Sequence, residues 1–313
     1  MDNFIPKDSS GKNELPFIPP SGGGGATLGA GGLKLIECPR DAMQGWKHFI
    51  PTQTKIDYIN ALLKVGFDTI DFGSFVSPKA IPQMADTKEV IANLQLANSK
   101  SKLLAIIANE RGATDAVLYD EITYLGFPFS VSETFQKKNT NSTIEESLIR
   151  VEEIQNLCIK NKKELVVYIS MGFGNPYGDI YNEAIVFNWV DKLVEMDIKI
   201  ISLADTVGLA TAEQVKSVTE YLVDKLPEVE IGVHLHSTAT NWKEKVNAAL
   251  NAGCKRFDGA LKGIGGCPMA GDELVGNMDT ELMIPYFKEK SLLQNLNMDA
   301  LAECSRMAST IFI

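Results

Sequence analysis

The chain alternates short apolar runs with longer segments in which apolar residues recur at helical spacing. The apolar runs are rich in β-branched and aromatic side chains, a composition typical of buried strands. Eight such runs occur: Leu33–Cys38, Phe67–Phe72, Leu103–Ile107, Phe127–Ser132, Leu165–Ser170, Ile198–Leu203, Glu230–Leu235 and Arg256–Leu261.

Amphipathic segments separate these runs and predict helices. The clearest are Thr54–Val65, Thr143–Lys160, Thr211–Leu226 and Asn241–Ala252. The second is expected to begin with a capping box over Ser142-Thr143-Ile144-Glu145, in which each end satisfies a backbone donor of the other.

A strand followed by a helix, repeated eight times, predicts an α/β protein that forms a closed (β/α)8 TIM barrel. An open doubly wound sheet is the alternative, but no Gly-rich dinucleotide fingerprint follows the first strand. The segment Met298–Phe312 exceeds eight repeats and is expected to be an extra C-terminal helix against the barrel or a partner chain. Residues 1–32, rich in Gly, Pro and Ser, are expected to be a flexible leader, and residues 33–313 a single barrel domain.

Composition narrows the function classes. Hydrophobic residues make up 45% and charged residues 22% of the 313 residues, the balance of a globular protein. The net charge is -10 and the basic residues are scattered, so nucleic acid is not an expected partner. No run reaches the ~18 apolar residues of a membrane span. Five cysteines without C-x-x-C spacing, and no targeting signal, favour a reducing compartment, with the cytoplasm as default.

Two of the three histidines lie in Val233-His234-Leu235-His236, at the end of an apolar run. Side chains at i and i+2 of a strand point to the same face, so both imidazoles are expected to project together. Paired imidazoles at this spacing are typical of metal ligands. The alternative is two polar residues on a solvated strand end.

Charged residues follow other predicted strands, at the end where barrel enzymes place their chemistry. Arg40 and Asp41 follow the first strand, as an oxyanion-binding fork and an oxygen ligand, or else as a surface ion pair. Asp71 ends the second strand and could orient Arg40 or a metal-bound water, or cap a turn through Ser74. Asp205 follows the sixth strand as an inward carboxylate or an Asx turn.

These residues suggest a mixed nitrogen and oxygen metal site. Past the eighth strand, Asn277 offers a neutral amide oxygen. Imidazoles, carboxylates and an amide suit Mg2+, Mn2+ or a similar divalent ion better than a closed structural zinc site. Such an ion, with open positions, could chelate a substrate hydroxyl and carbonyl and stabilise enolate charge.

Two further segments carry candidate chemistry. Cys267 follows a glycine-rich stretch, Gly263–Gly266, that suggests a mobile loop; its thiol could act as an acid or redox-sensitive group, or be a small apolar filler. Lys137, Lys138 and Asn139 precede a helix N-terminus and could bind the phosphates of a coenzyme A ester, or be solvated.

Taken in order, several motifs resemble the hydroxymethylglutaryl-CoA lyase family. The motifs are Arg40-Asp41-Ala42-Met43-Gln44, Ser74-Phe75-Val76-Ser77-Pro78-Lys79, Pro82-Gln83-Met84, Lys137-Lys138-Asn139, Ala204-Asp205-Thr206-Val207-Gly208, His234-Leu235-His236 and Gly265-Gly266-Cys267-Pro268. The resemblance runs from about Leu33 to about Phe312.

The resemblance implies a metal-dependent barrel that cleaves 3-hydroxy-3-methylglutaryl-CoA to acetyl-CoA and acetoacetate, as in leucine degradation, and that forms a homo-oligomer, expected to be a dimer. It implies that the metal is held by a set of four residues: Asp41, His234, His236 and Asn277. It implies catalytic roles for Arg40, Cys267, Asp71 and Asp205. It implies that substrate is contacted by Gln44, Ser74, Lys137, Lys138 and Asn139.

The sequence departs from the family pattern at four points. Ala42 stands where Gly is usual, Asp71 where Glu is usual and Ser237 where Asp is usual, and the spacing from Cys267 to Asn277 is one residue longer. The alternatives are a lyase for a related 3-hydroxyacyl-CoA, a condensing acyltransferase resembling isopropylmalate synthase, and a metal-binding barrel without activity.

Overall fold

The computed structural model describes residues 32–266, 275–293 and 295–313. Cys267 and residues 1–31 of the expected leader lie outside the described residues.

Eight parallel strands close into a barrel, as predicted. The barrel strands are β1 (Lys34–Glu37), β2 (Thr69–Ser74), β3 (Lys102–Ile106), β4 (Ile122–Ser130), β5 (Glu164–Ser170), β6 (Ile200–Ala204), β7 (Glu230–His234) and β9 (Arg256–Gly259). Two further short strands are β8 (His236–Ser237) and β10 (Gly276–Asn277). The barrel order is β1-β2-β3-β4-β5-β6-β7-β9, and β1 closes it by pairing with β9. The two-residue strands β8 and β10 form a separate antiparallel pair.

Helices surround the barrel. They are α1 (Pro39–Gln44), α2 (Thr52–Leu62), α3 (Thr87–Ala92), α4 (Glu110–Ala116), α5 (Glu133–Thr140), α6 (Ile144–Lys160), α7 (Glu183–Glu195), α8 (Ala212–Lys225), α9 (Trp242–Asn251), α10 (Thr280–Glu289) and α11 (Met298–Ile311), with short 3-10 turns at Pro82–Met84 and Leu261–Gly263. Helix α11 is the predicted extra C-terminal helix. Just after it, Phe312 packs its ring edge-on against Trp46, with centroids 5.3 Å apart. The (β/α)8 prediction and its C-terminal helical segment are confirmed.

The capping box of α6 lies one residue later than predicted. Thr143 is the N-cap in extended geometry; its side chain accepts from the Glu146 amide, and Glu146 accepts from the Thr143 amide. The predicted first member, Ser142, is buried, and its hydroxyl hydrogen-bonds with that of Thr140. The predicted box of Ser142 and Glu145 is therefore wrong by one position.

Strand β4 begins at Ile122, five residues before the predicted start at Phe127. Gly126 lies inside the strand and does not interrupt it. A Cβ added at Gly126 would lie 2.6 Å from Cδ1 of Ile106 and 3.1 Å from a ring carbon of Tyr168. This glycine therefore makes room inside the barrel for side chains of β3 and β5.

The hydrophobic core lies mainly between the outer face of the barrel and the helices, and a smaller cluster fills the barrel interior. The interior cluster consists of Leu104, Tyr124, Val166, Tyr168 and Ile200. Arg256, fully buried, enters from β9 with its guanidinium over the Tyr124 ring. Within the described ranges, no helix is both long enough and apolar enough to cross a membrane.

Candidate metal centre and active site

A cavity of about 280 Å³ opens at the carboxyl ends of the barrel strands. Seven of the predicted site residues line it: Arg40, Asp41, Gln44, Lys138, Asn139, His234 and His236. These residues come from α1, α5, β7 and β8, so the barrel brings together side chains that are far apart in sequence. This is the end where barrel enzymes hold their active sites.

Asp41, His234 and His236 form a cluster that could hold a metal ion. One potential ligand atom from each residue lies within 4.8 Å of the other two. The imidazole centroids of His234 and His236 are 5.5 Å apart. Nε2 of His236 is buried and has no hydrogen-bond partner among the described residues. A buried nitrogen without a partner is costly, and a bound cation would satisfy it.

The two histidines do not share one strand, which corrects the predicted strand Glu230–Leu235. Strand β7 ends at His234, and His236 belongs to β8, which pairs with β10. Their side chains nevertheless face the same cavity, so the expected convergence is found although its strand geometry was wrong.

The β8–β10 pair also brings Asn277 to the cluster. Asn277 is the register partner of His236, and its Nδ2 donates to Oδ2 of Asp41 at 2.6 Å. Gly265 packs closely here with φ of +110°; an added Cβ would lie 2.5 Å from Asn277 Nδ2 and 2.9 Å from the Asp41 carbonyl. Only glycine fits this approach.

Asp258 on β9 is a member of the site that the sequence reasoning missed. Its Oδ2 lies 3.1 Å from Nδ1 of His234, and its side chain is fully buried. A signal was present, because Arg256 and Asp258 are charged residues at alternate positions of an otherwise apolar strand and therefore share its inner face. Tyr168, whose ring packs edge-on against His234, was also missed.

Arg40 is fixed by two carboxylates. Its Nε donates to both oxygens of Asp71, at 3.2 and 3.0 Å, and NH1 donates to Oδ1 of Asp41 at 2.8 Å. Burial disfavours the charge on Arg40, but the two carboxylates outweigh burial and raise its pKa. The Asp71 side chain does not line the cavity. It contacts Arg40, which does.

Burial and neighbouring charges shift the pKa values of Asp41, His234 and His236. Burial acts to raise the pKa of Asp41, but Arg40 and then His234 bring it down to about 2. Burial, followed by the nearby His234, lowers the pKa of His236 to about 4. For His234, burial lowers the pKa but the hydrogen bond to Asp258 outweighs it, so the pKa is raised. At neutral pH the site therefore presents a carboxylate and a neutral His236, the forms that bind cations.

Three other predicted site residues, Asp205, Ser74 and Lys137, do not line this cavity. Asp205 is buried and pairs with Lys245, Nζ to Oδ2 2.7 Å. Ser74 lines a neighbouring cavity of about 180 Å³. Lys137 is exposed and pairs with Glu133 at 2.9 Å. Cys267 lies outside the described residues.

Two of the sequence departures also lie away from the cavity lining. Ala42 is buried in α1, and Ser237 is buried in β8 with Gly276 as its register partner. Neither residue is among those that line the cavity. Lys138, by contrast, lines the cavity, and its Nζ lies 4.1 Å from the centroid of the Tyr177 ring.

A closed parallel barrel whose carboxyl-end cavity combines imidazole, carboxylate and guanidinium groups defines a TIM-barrel enzyme. The family model described as HMGL-like matches residues 34–308, and the chain belongs to this family.

Known relatives are similar over most of the chain. Hydroxymethylglutaryl-CoA lyase YngG of Bacillus subtilis (strain 168) is 32% identical over 268 residues, 86% of this chain and 89% of that protein. The cytoplasmic 3-hydroxy-3-methylglutaryl-CoA lyase of Rattus norvegicus is 34% identical over 256 residues, 80% of this chain and 73% of that protein. An HMG-CoA lyase from Acinetobacter baumannii, solved with coenzyme A and 3-methylmalate, superposes with a TM-score of 0.83 and 33% identity over 90% of this chain and 91% of that one.

Proposed function

We propose that this protein is a metal-dependent carbon–carbon lyase that cleaves 3-hydroxy-3-methylglutaryl-CoA to acetyl-CoA and acetoacetate. The observation that carries the proposal is the cluster of Asp41, His234 and His236 beside Arg40, inside one barrel cavity of an HMGL-like chain. The relatives named as hydroxymethylglutaryl-CoA lyases support the same reaction.

The residues present fit a divalent cation, for which we propose Mg2+ or Mn2+. Asp41, His234, His236 and Asn277 would hold it, and the unpartnered Nε2 of His236 is the strongest sign that the site accepts a cation. When bound, such a cation lowers the pKa of a coordinated hydroxyl and stabilises developing enolate charge.

The reaction is a retro-Claisen cleavage. The 3-hydroxyl loses its proton, the bond between C2 and C3 breaks, C3 becomes the ketone of acetoacetate, and the acetyl-CoA enolate takes up a proton at C2. Arg40 would face the thioester oxygen, where negative charge develops as the bond breaks. Since Asp71 accepts hydrogen bonds from both Nε and NH2 of the guanidinium, Arg40 needs little reorganisation during the reaction.

We propose further roles for residues around this centre. Gln44, Lys138 and Asn139 line the cavity and would contact the acyl-CoA substrate, whereas Ser74 and Lys137 would contact its more distant parts. Cys267 would act as a catalytic thiol, a role that rests on the Gly-Gly-Cys-Pro motif. We also propose a cytoplasmic homodimer, on the grounds of cysteine usage and the resemblance set out above.

The test is acetoacetate release from 3-hydroxy-3-methylglutaryl-CoA by the purified protein under reducing conditions. We expect release with Mg2+ or Mn2+ and loss of release after chelation, with recovery when the metal is returned. Metal binding without acetoacetate release would contradict the proposed substrate.

A further inference from the structure

A lysine that is not among the predicted site residues lies buried beside β8, the two-residue strand that carries the proposed metal ligand His236. Lys245, in the first turns of α9, is 1% exposed. Its Nζ donates to Oδ2 of Asp205 at 2.7 Å, to the His236 carbonyl at 2.9 Å and to the Gly208 carbonyl at 3.4 Å. An ammonium group has three protons, and each therefore has an acceptor.

Burying the charged Lys245 ammonium costs free energy unless an opposite charge pairs with it. Asp205 supplies that charge. Asp205 is equally buried, and its other carboxylate oxygen accepts from the Ala210 amide at 3.0 Å. The Asp205 carboxylate thus faces protein on both sides and does not line the cavity. Neither member of the pair is placed to touch substrate.

The Lys245 side chain instead holds the backbone at His236, because its Nζ donates to the His236 carbonyl. The His234 carbonyl is held by the backbone amide of Asp205, at 3.0 Å, beside the β6–β7 pairing. The barrel strand β7 ends at His234, and His236 belongs to β8, a separate strand of only two residues. So short a strand has few ladder hydrogen bonds of its own, and its orientation depends on contacts such as that of Lys245.

We propose that Lys245, together with Asp205, is a positioning residue of the metal centre: it fixes the backbone at His236 and thereby directs Nε2 of His236 into the cavity. The proposal rests on the metal site of the proposed function. It gives Asp205 a role through the backbone in place of direct participation in chemistry.

The test is the affinity of the metal-free protein for Mn2+, measured by the electron paramagnetic resonance signal of free Mn2+. We expect Lys245→Met to weaken Mn2+ binding about 10- to 100-fold, the range typical when a group that orients a metal ligand is removed. Lys55→Met is the matched control. Lys55 is also 1% exposed and also donates to a carboxylate, Asp86, and a backbone carbonyl, that of Gln83. It should lower the melting temperature yet leave Mn2+ affinity unchanged.

Because Lys245→Met leaves the Asp205 carboxylate buried without its cation, that variant could fail to fold. The double variant Lys245→Met/Asp205→Asn removes the unpaired charge and keeps an acceptor for the Ala210 amide. We expect it to fold and still to bind Mn2+ about 10- to 100-fold more weakly, since the His236 carbonyl has lost its donor. Wild-type Mn2+ affinity in the double variant would overturn the positioning role.

The two proposals fail in different ways. A wild-type protein that binds Mn2+ but releases no acetoacetate contradicts the lyase reaction, and Mn2+ affinity still decides the role of Lys245. A wild-type protein that binds no Mn2+ overturns both.

Discussion

Nδ1 of His234 lies 3.1 Å from Oδ2 of Asp258, and this contact determines which imidazole nitrogen faces the cavity. A carboxylate at Nδ1 favours the tautomer that carries its proton there, which leaves the Nε2 lone pair for a cation. Asp258 comes from β9 and His234 from β7, two neighbouring strands of the barrel. The sheet itself therefore orients a proposed metal ligand.

Asp258→Asn should weaken Mn2+ binding about 10- to 100-fold without unfolding the protein, because the amide keeps the shape of the side chain but loses the charge that orients His234. Titration of Mn2+ into the metal-free variant measures the effect. Asp191→Asn is the control, since Asp191 pairs with Lys225 on the surface. Equal Mn2+ affinity in Asp258→Asn and wild type would show that His234 needs no such support.

Arg40→Lys should lower kcat about 100-fold or more, with a smaller effect on KM, because a lysine cannot reproduce the Nε and NH2 fork that holds Asp71 and stabilises charge in the transition state. The measurement is the rate of acetoacetate release at saturating Mn2+. Arg306→Lys, on the exposed face of α11, is the matched control and should keep the wild-type rate. A kcat within twofold of wild type would remove Arg40 from the proposed chemistry.

Glu37 provides a pH dependence separate from the metal cluster. Burial raises its pKa from 4.5 to about 8, against hydrogen bonds from Thr280 and the Leu261 amide that lower it. Between these values the folded protein binds more protons than the unfolded chain, so this contribution to stability falls as pH rises from about 4.5 to 8 and is constant above that.

Glu37→Gln should therefore gain stability relative to wild type as pH rises from 6 to about 8 and show no further gain above that, because the neutral amide avoids a buried charge. Urea unfolding at several pH values measures the difference. Glu164→Gln, at the exposed start of β5, should show no such trend. A difference between Glu37→Gln and wild type that does not change with pH would contradict the raised pKa.

The barrel could be predicted from sequence because most of its strands are short, largely apolar runs that alternate with amphipathic helices. The start of β4 was missed because Gly126 resembles a turn residue, and only the barrel interior shows why a side chain is excluded there. Local patterns also placed the α6 capping box one residue early, since Ser142 and Thr143 are both suitable caps.

The candidate site was predictable where strand ends carry several polar residues. His234, His236, Asp41 and Arg40 converge as expected because parallel strands present their carboxyl ends together. Lys245 and Asp258 were not predicted, because their roles come from partners on other elements, 40 residues from Asp205 to Lys245 and 24 from His234 to Asp258. The alternation of Arg256 and Asp258 marked the inner face of β9, but the pairing of Asp258 with His234 follows only from the three-dimensional fold.

The most direct test of the account compares wild type with His236→Ala, using 3-hydroxy-3-methylglutaryl-CoA, saturating Mn2+ and reducing conditions, with His48→Ala as the control because His48 is exposed. Acetyl-CoA and acetoacetate are both quantified by mass spectrometry. We expect wild type and His48→Ala to form the two products in equal amounts, and His236→Ala to form neither, because it has lost a proposed metal ligand. Full activity in His236→Ala would contradict the metal centre on which the proposed reaction depends.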